Sequence, residues 1–254
     1  MTDAQDPNET SEGRMSFFDH LEELRRRILW ALVGYAVGFF VCWTYWEPIY
    51  NALAKPITDA LNGEKLIYLN PTEPFTLSMK LGFIGGIFLA APWILWQLWL
   101  FVSPGLYKHE KRFAIPFVLF SSILFVAGGL FGYYLAFPYT LKFLINYAPN
   151  FKPQVTISEY FDLASMVLIG LGVIFELPIL IMVLSIFGLI TPRFLWKNFQ
   201  YAILIIAIIA AIITPTTDIP TMLLFMAPML LLYLIGIPIA WIFGRRRDRA
   251  GEKA

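Results

Sequence analysis

Six stretches of near-continuous apolar residues, near 28–46, 75–102, 113–136, 157–186, 199–213 and 219–243, alternate with short polar segments along the chain. About 20 apolar residues in a helix cross the roughly 30 Å hydrocarbon core of a bilayer, so runs of this kind read as membrane-crossing helices. The connections are rich in Pro, Asn, Lys and Glu, as in Asn70-Pro71-Thr72-Glu73-Pro74 and Ala148-Pro149-Asn150-Phe151-Lys152-Pro153, and such segments form turns and loops. No internal repeat and no inserted polar domain interrupts the pattern. It predicts an all-α integral membrane protein: a single domain of six transmembrane helices over residues 16–245. A disordered polar tail at 1–15 and a basic tail at 246–254 flank it.

Two runs depart from the ordinary length. The fifth, Tyr201 to Ile213, has thirteen residues and reaches only about 20 Å as a helix. Such a mismatch is relieved by bilayer thinning, tilt or a partner helix; alternatively, Phe199 and Trp196 extend the helix into the interface. The fourth is long, and its Glu159 and Asp162 end is expected to rise above the membrane. The sixth begins at Asp218 to Pro220 and contains Pro228 and Pro238.

Ahead of the first run, Ser16 with Asp19 makes a capping-box pattern, and Asp19, Glu22 and Glu23 suit the positive end of a helix dipole. Phe17, Leu21, Leu24 and Ile28 recur at spacings of four, three and four, which places them on one helix face. The pattern predicts an amphipathic helix along the membrane surface that feeds into the first span. Glu22–Arg26 and Glu23–Arg27 are i,i+4 pairs in the favourable order, so a charged juxtamembrane helix without any ligand is one reading of this stretch.

Composition agrees with the membrane assignment. Charged residues are 15% of the 254 and hydrophobic residues 58%, against about 25% charged in soluble domains. The single Cys42 lies inside an apolar run, which excludes an intrachain disulfide or a cysteine metal site. With the N-terminus in the cytoplasm, fourteen of the nineteen Lys and Arg fall on cytoplasmic segments. Four (Lys55, Lys65, Lys142, Lys152) fall outside, and Lys80 lies within a span. The positive-inside rule therefore predicts that both termini are cytoplasmic.

Charge inside the spans is scarce and informative. Glu176, in Phe175-Glu176-Leu177-Pro178, lies deep in the fourth run, where an ionisable group is costly and marks a functional site unless it is protonated and bonded to a neighbouring helix. Pro178 should bend the helix beside it. Lys80 is expected only to snorkel outward. Between the second and third runs, Glu110 stands among Lys108, Lys111 and Arg112. His109 beside it has only His20 as a second histidine, which argues against a metal site.

Several motifs, taken together, resemble the TatC family, the multi-spanning receptor component of the twin-arginine protein translocase. His20-Leu21-Glu22-Glu23-Leu24-Arg25-Arg26-Arg27 is similar to the family's N-terminal H-L-x-E-L-R-x-R. Ser103-Pro104-Gly105-Leu106-Tyr107-Lys108-His109-Glu110 resembles its first cytoplasmic loop. Phe175-Glu176-Leu177-Pro178 resembles its F-E-x-P, and Thr214-Pro215 leading to Asp218 its last external loop. The resemblance implies recognition of folded precursors through two adjacent arginines of a signal peptide, received by Glu23 and Glu110. Arg25 and Arg27 orient that patch, and Phe101 and Pro56 match further functional positions that the resemblance assigns to signal-peptide binding. It also implies a polar intramembrane role for Glu176 and a role for Asp218 in the external loop. TatA- and TatB-type single-span partners, self-association, a prokaryotic plasma membrane and the proton-motive force follow from the same resemblance, with no cofactor, no nucleic acid and no enzymatic activity. Carboxylate pairs suit the task, because guanidinium binds carboxylate bidentately and lysine cannot.

Two other classes remain open on the residues alone. A secondary transporter would use Glu176 as its proton or cation site, although it would be expected to show an inverted repeat. A membrane enzyme would need a motif such as HExxH or GxSxG, and neither is present.

Overall fold

The computed structural model describes residues 17–61, 63–102, 114–147, 150, 152–214, 216 and 218–244. These residues form α1 (Phe17–Thr44), α2 (Trp46–Ala60), α3 (Glu73–Val102), α4 (Ala114–Phe131), a π-helical turn (Gly132–Ala136) and α5 (Phe137–Tyr147). They continue as α6 (Ile157–Phe175), α7 (Leu177–Ile186), α8 (Pro192–Lys197), α9 (Phe199–Ile213) and α10 (Ile219–Phe243). The tails at 1–15 and 246–254 lie outside the described residues.

Among the described residues, five helical stretches are long and apolar enough to cross a membrane: His20–Thr44, Glu73–Val102, Ile115–Tyr147, Ile157–Ile186 and Ile219–Phe243. The sixth apolar helix, Phe199–Ile213, is shorter. It takes in Phe199 but not Trp196, which belongs to the separate helix α8. At fifteen residues it is still only about 22 Å long.

Three expectations are corrected. The amphipathic start is not a separate surface helix: α1 runs unbroken for 28 residues, because no proline, glycine or cap divides Leu24 from Ile28 and a formed helix propagates. Its apolar residues Leu21 and Ile28 face outward while Glu23 is buried, the reverse of a helix on a soluble core. The connection between 46 and 75 is not all loop, since α2 occupies Trp46–Ala60. The third span continues past 136 to Tyr147, through the π turn. Pro138 lacks the N–H that would bond the carbonyl four residues back, and a wide turn just before it absorbs the mismatch.

The core is built around α6. Tyr160, Phe161, Ala164, Val167, Leu168 and Leu171 are buried on it, at three- and four-residue spacings that make one continuous inward stripe. Phe225 and Met229 of α10 and Ile57 of α2 join the same cluster. A second cluster packs Trp99 against Phe117, ring centroids 4.3 Å apart, with Val118 and Ile179. In lipid, helices associate by close packing rather than by escaping water, and glycine permits this at α4–α6. A methyl group added at Gly128 would stand 2.4 Å from the carbonyl oxygen of Leu171.

Candidate functional site

The N-terminal turns of α1 lie antiparallel against the last turns of α3. The His20 and Phe101 rings stack with centroids 4.6 Å apart and planes at 24°. Farther along, Trp93 Nε1 donates to the Trp30 carbonyl at 2.8 Å. This register brings Glu23 and Gln97 to one level of the pair, and both are buried, at 8% and 5% exposure. Arg27 Nη2 donates to Glu23 Oε1 at 3.2 Å, so of the two expected ion pairs the Glu23–Arg27 one closes. Glu23 Oε2, Arg27 Nε and Gln97 Oε1 are buried and lack a hydrogen-bond partner among the described residues. A buried polar atom without a partner is costly. This end of the helix pair thus holds two open acceptors beside an aromatic stack, a surface suited to N–H donors. Arg25 is exposed on the same helix. Glu110 lies outside the described residues.

Gln97 carries no signal in the motifs, yet it is the only amide within Trp93–Val102, and that isolation in an apolar run is the clue to it.

Glu176 sits where the fourth span breaks. It caps the end of α6 and the start of α7, and its N–H bonds back only three residues, to Val173 at 3.1 Å. Pro178 in the first turn of α7 explains the break, because it cannot continue the hydrogen-bond ladder. The Ser121 hydroxyl of α4 donates to Glu176 Oε2, while Oε1 is without a partner among the described residues. Glu176 is therefore half-satisfied within the bundle. Ser121, fully buried, carries no signal in the sequence, because serine is common in spans.

The other candidates lie elsewhere. Pro56, in α2, is at the end of the bundle opposite Glu23, since α1 and α3 both run between the two. Lys80 does more than snorkel: its Nζ bonds Asp162 Oδ1 at 2.6 Å and ties α3 to α6. Glu23, Arg27 and Phe101 gather at one end, whereas Pro56, Glu176 and Asp218 form no common site with them.

Asp218 is the N-cap of α10, accepting the Thr221 N–H on Oδ2 at 2.7 Å. Burial pushes its carboxyl up, but hydrogen bonding, with the Thr221 N–H as its donor at 2.7 Å, outweighs this and holds it below its usual value. A folded-state pKa below the unfolded one contributes stability that is complete above the unfolded value, about 3.9, and is lost as pH falls through the folded value. Thermal unfolding in detergent should therefore show the wild type losing stability on acidification below about pH 4, with Asp218→Asn losing less. Asp218→Ala should cost about 1 kcal/mol at neutral pH through loss of the cap. Superimposable acid profiles for the wild type and Asp218→Asn would contradict this assignment.

Among the described residues, no group of three His, Cys, Asp or Glu stands close enough to hold a metal. A cleft of about 940 Å³ opens between the ends of α7 and α10, lined by Ser185, Gly188, Thr191 and Trp241 among others. None of its lining residues among the described ones is ionisable.

Residues 19–228 match the family model of the Sec-independent protein translocase protein TatC. The chain belongs to the TatC family. The TatC of Koribacter versatilis is 49% identical over 247 residues, covering 94% of this chain and 91% of that protein. That of Desulforapulum autotrophicum is 36% identical over 96% of this chain and 90% of that one. A crystal structure of the twin-arginine translocase receptor TatC is similar with a TM-score of 0.77 at 36% identity, covering 89% of this chain and all of that chain. A second TatC crystal structure, in detergent, gives 0.78 at 35% identity over the same shares. This TatC-family chain is thus a component of a Sec-independent protein translocase and a membrane protein.

Proposed function

We propose that this chain is the signal-peptide receptor of its translocase and that Glu23 receives one of the paired arginines of a folded precursor's signal. The carrying observation is the buried Glu23 carboxylate with one oxygen on Arg27 and the other open. A carboxylate already desolvated makes stronger charge-assisted bonds than one in water. Glu110 supplies the second carboxylate on this reading, and Arg25, Arg27 and the His20–Phe101 stack orient the patch. Planar guanidinium matches the geometry, whereas ammonium does not.

In this reading six helices cross the membrane with both termini in the cytoplasm, α9 being the short sixth span. The direction of successive helices supports it, because Arg25–Arg27 and Arg193–Lys197 then fall at one end. Pro56 and Asp218 lie on the external side. TatA- and TatB-type single-span proteins join the chain, which also self-associates, in a prokaryotic plasma membrane, with the proton-motive force driving transport. Glu176, held by Ser121 with one oxygen open, serves transport rather than recognition. Capture of the detergent-solubilised protein by an immobilised twin-arginine peptide, against a twin-lysine control, tests the reading. Retention on the arginine peptide alone is expected, and equal retention on both would refute it.

A further inference from the structure

Proline inside a helix removes one N–H and displaces the next, leaving the carbonyls four and three residues back without their helical donors. In α2 the carbonyls at those two positions before Pro56 are those of Ala52 and Leu53. Both carbonyls are taken by tyrosine hydroxyls from other helices. Tyr133 Oη, in the π turn, donates to the Ala52 carbonyl at 2.6 Å. Tyr160 Oη of α6 donates to the Leu53 carbonyl at 2.6 Å. Tyr160 is 2% exposed, and Ile57 beside it 1%.

We propose that Pro56 acts by freeing these two carbonyls, and that Tyr133 and Tyr160 are positioning residues that use them to fasten α2 across the ends of the third and fourth spans. The attachment is specific because each element supplies what the other needs. Without the proline, the α2 backbone would satisfy itself and present no acceptor. Tyr133 lies within the π turn before Pro138, so the turn's wider backbone sets where its ring points. The segment after α2 is held by a pair of backbone bonds beside the start of α6. Ile67 N–H donates to Val155 at 3.2 Å and Ile157 N–H to Ile67 at 2.8 Å. The α2 region is thus tied to the start of α6 at two places, through Tyr160 and through Ile67.

The test is a mutant cycle on the full chain in detergent, read by amide hydrogen exchange across residues 46–60, which reports local opening. Tyr133→Phe and Tyr160→Phe keep the rings and remove only the hydroxyls. Tyr160→Phe, which strips the donor from the part-buried Leu53 carbonyl, should speed exchange in α2 by about tenfold, and Tyr133→Phe, whose acceptor is exposed to solvent, should speed it by less. Exchange in α1 should stay unchanged. In a Pro56→Ala background the backbone N–H returns to the ladder, and either tyrosine change should then alter exchange by less than about twofold. Equal effects of the tyrosine changes in both backgrounds would overturn the proposal, since they would show a role for the tyrosines independent of the proline. If Pro56→Ala does not accumulate as folded protein, the single tyrosine variants decide: α2 exchange at the wild-type rate overturns the proposal, and faster exchange confined to α2 supports it.

Discussion

Glu23→Ala is expected to weaken capture of a twin-arginine signal peptide by about 10- to 100-fold while the protein still inserts and folds. A hydrogen bond to a charged partner contributes about 1.5–3 kcal/mol, and each 1.4 kcal/mol is a factor of ten in affinity. The fold should survive because Glu23 lies at the end of α1, where its one direct partner among the described residues is Arg27 in the same helix. Removing the carboxylate releases that arginine toward solvent rather than stranding a charge in the core. Glu23→Gln separates charge from shape: it keeps an acceptor oxygen but loses the guanidinium pairing, so its affinity should fall nearly as far as that of the alanine variant. Titration of a photo-crosslinkable twin-arginine peptide against both variants measures this. Wild-type crosslinking by Glu23→Ala at every concentration would remove Glu23 from the receptor surface.

The second large effect is expected at Glu176. Glu176→Leu should bind signal peptide with wild-type affinity yet lower the translocation rate by at least about tenfold, as loss of one charged hydrogen bond in the transport step requires. Glu176→Gln should retain much of the activity. Glu176 is ten residues from the end of α7 at Ile186, about 15 Å along the helix, so an arginine entering from the Glu23 end would be stripped of water to reach it. Its free Oε1 instead offers a bond to a polar group on a helix that packs into the break at Pro178. Ser121, left without its acceptor, can turn to a carbonyl in its own helix, so the leucine variant should fold. Transport assays in inverted vesicles, paired with peptide crosslinking, decide the matter. Loss of crosslinking with the fold intact, or transport at the wild-type rate, would show the assignment to be wrong.

The sequence was most informative where a residue's meaning depends on its immediate neighbours. Glu176 stood out because carboxylates are expensive in apolar runs, and Pro178 foretold the break, since a missing N–H is a local fact. Glu23 was visible through the motif around it, although its burial was not. Periodicity put Leu21 and Ile28 on the opposite side from Glu23, but no pattern shows which side meets another helix when the solvent is lipid. In water the apolar face packs inward; in a bilayer both lipid and protein accept it, and the polar residue seeks the protein.

By itself, then, the sequence determined the helical membrane class, the apolar runs and Glu176 as a carboxylate worth testing, because run length against bilayer thickness and the cost of buried charge are properties of short segments, while Glu23 followed from the motif around it. Only the tertiary structure decided that α1 pairs with α3 so that Glu23 and Gln97 share a level, and that Ser121 holds Glu176. It likewise decided that Lys80 reaches Asp162, 82 residues away, and that Pro56 belongs to the opposite end, where Tyr133 and Tyr160 take its freed carbonyls. Each of these contacts joins residues far apart in the chain, and helix packing in lipid turns on close fit and on which polar groups find one another, neither of which is written in the spacing of a single helix.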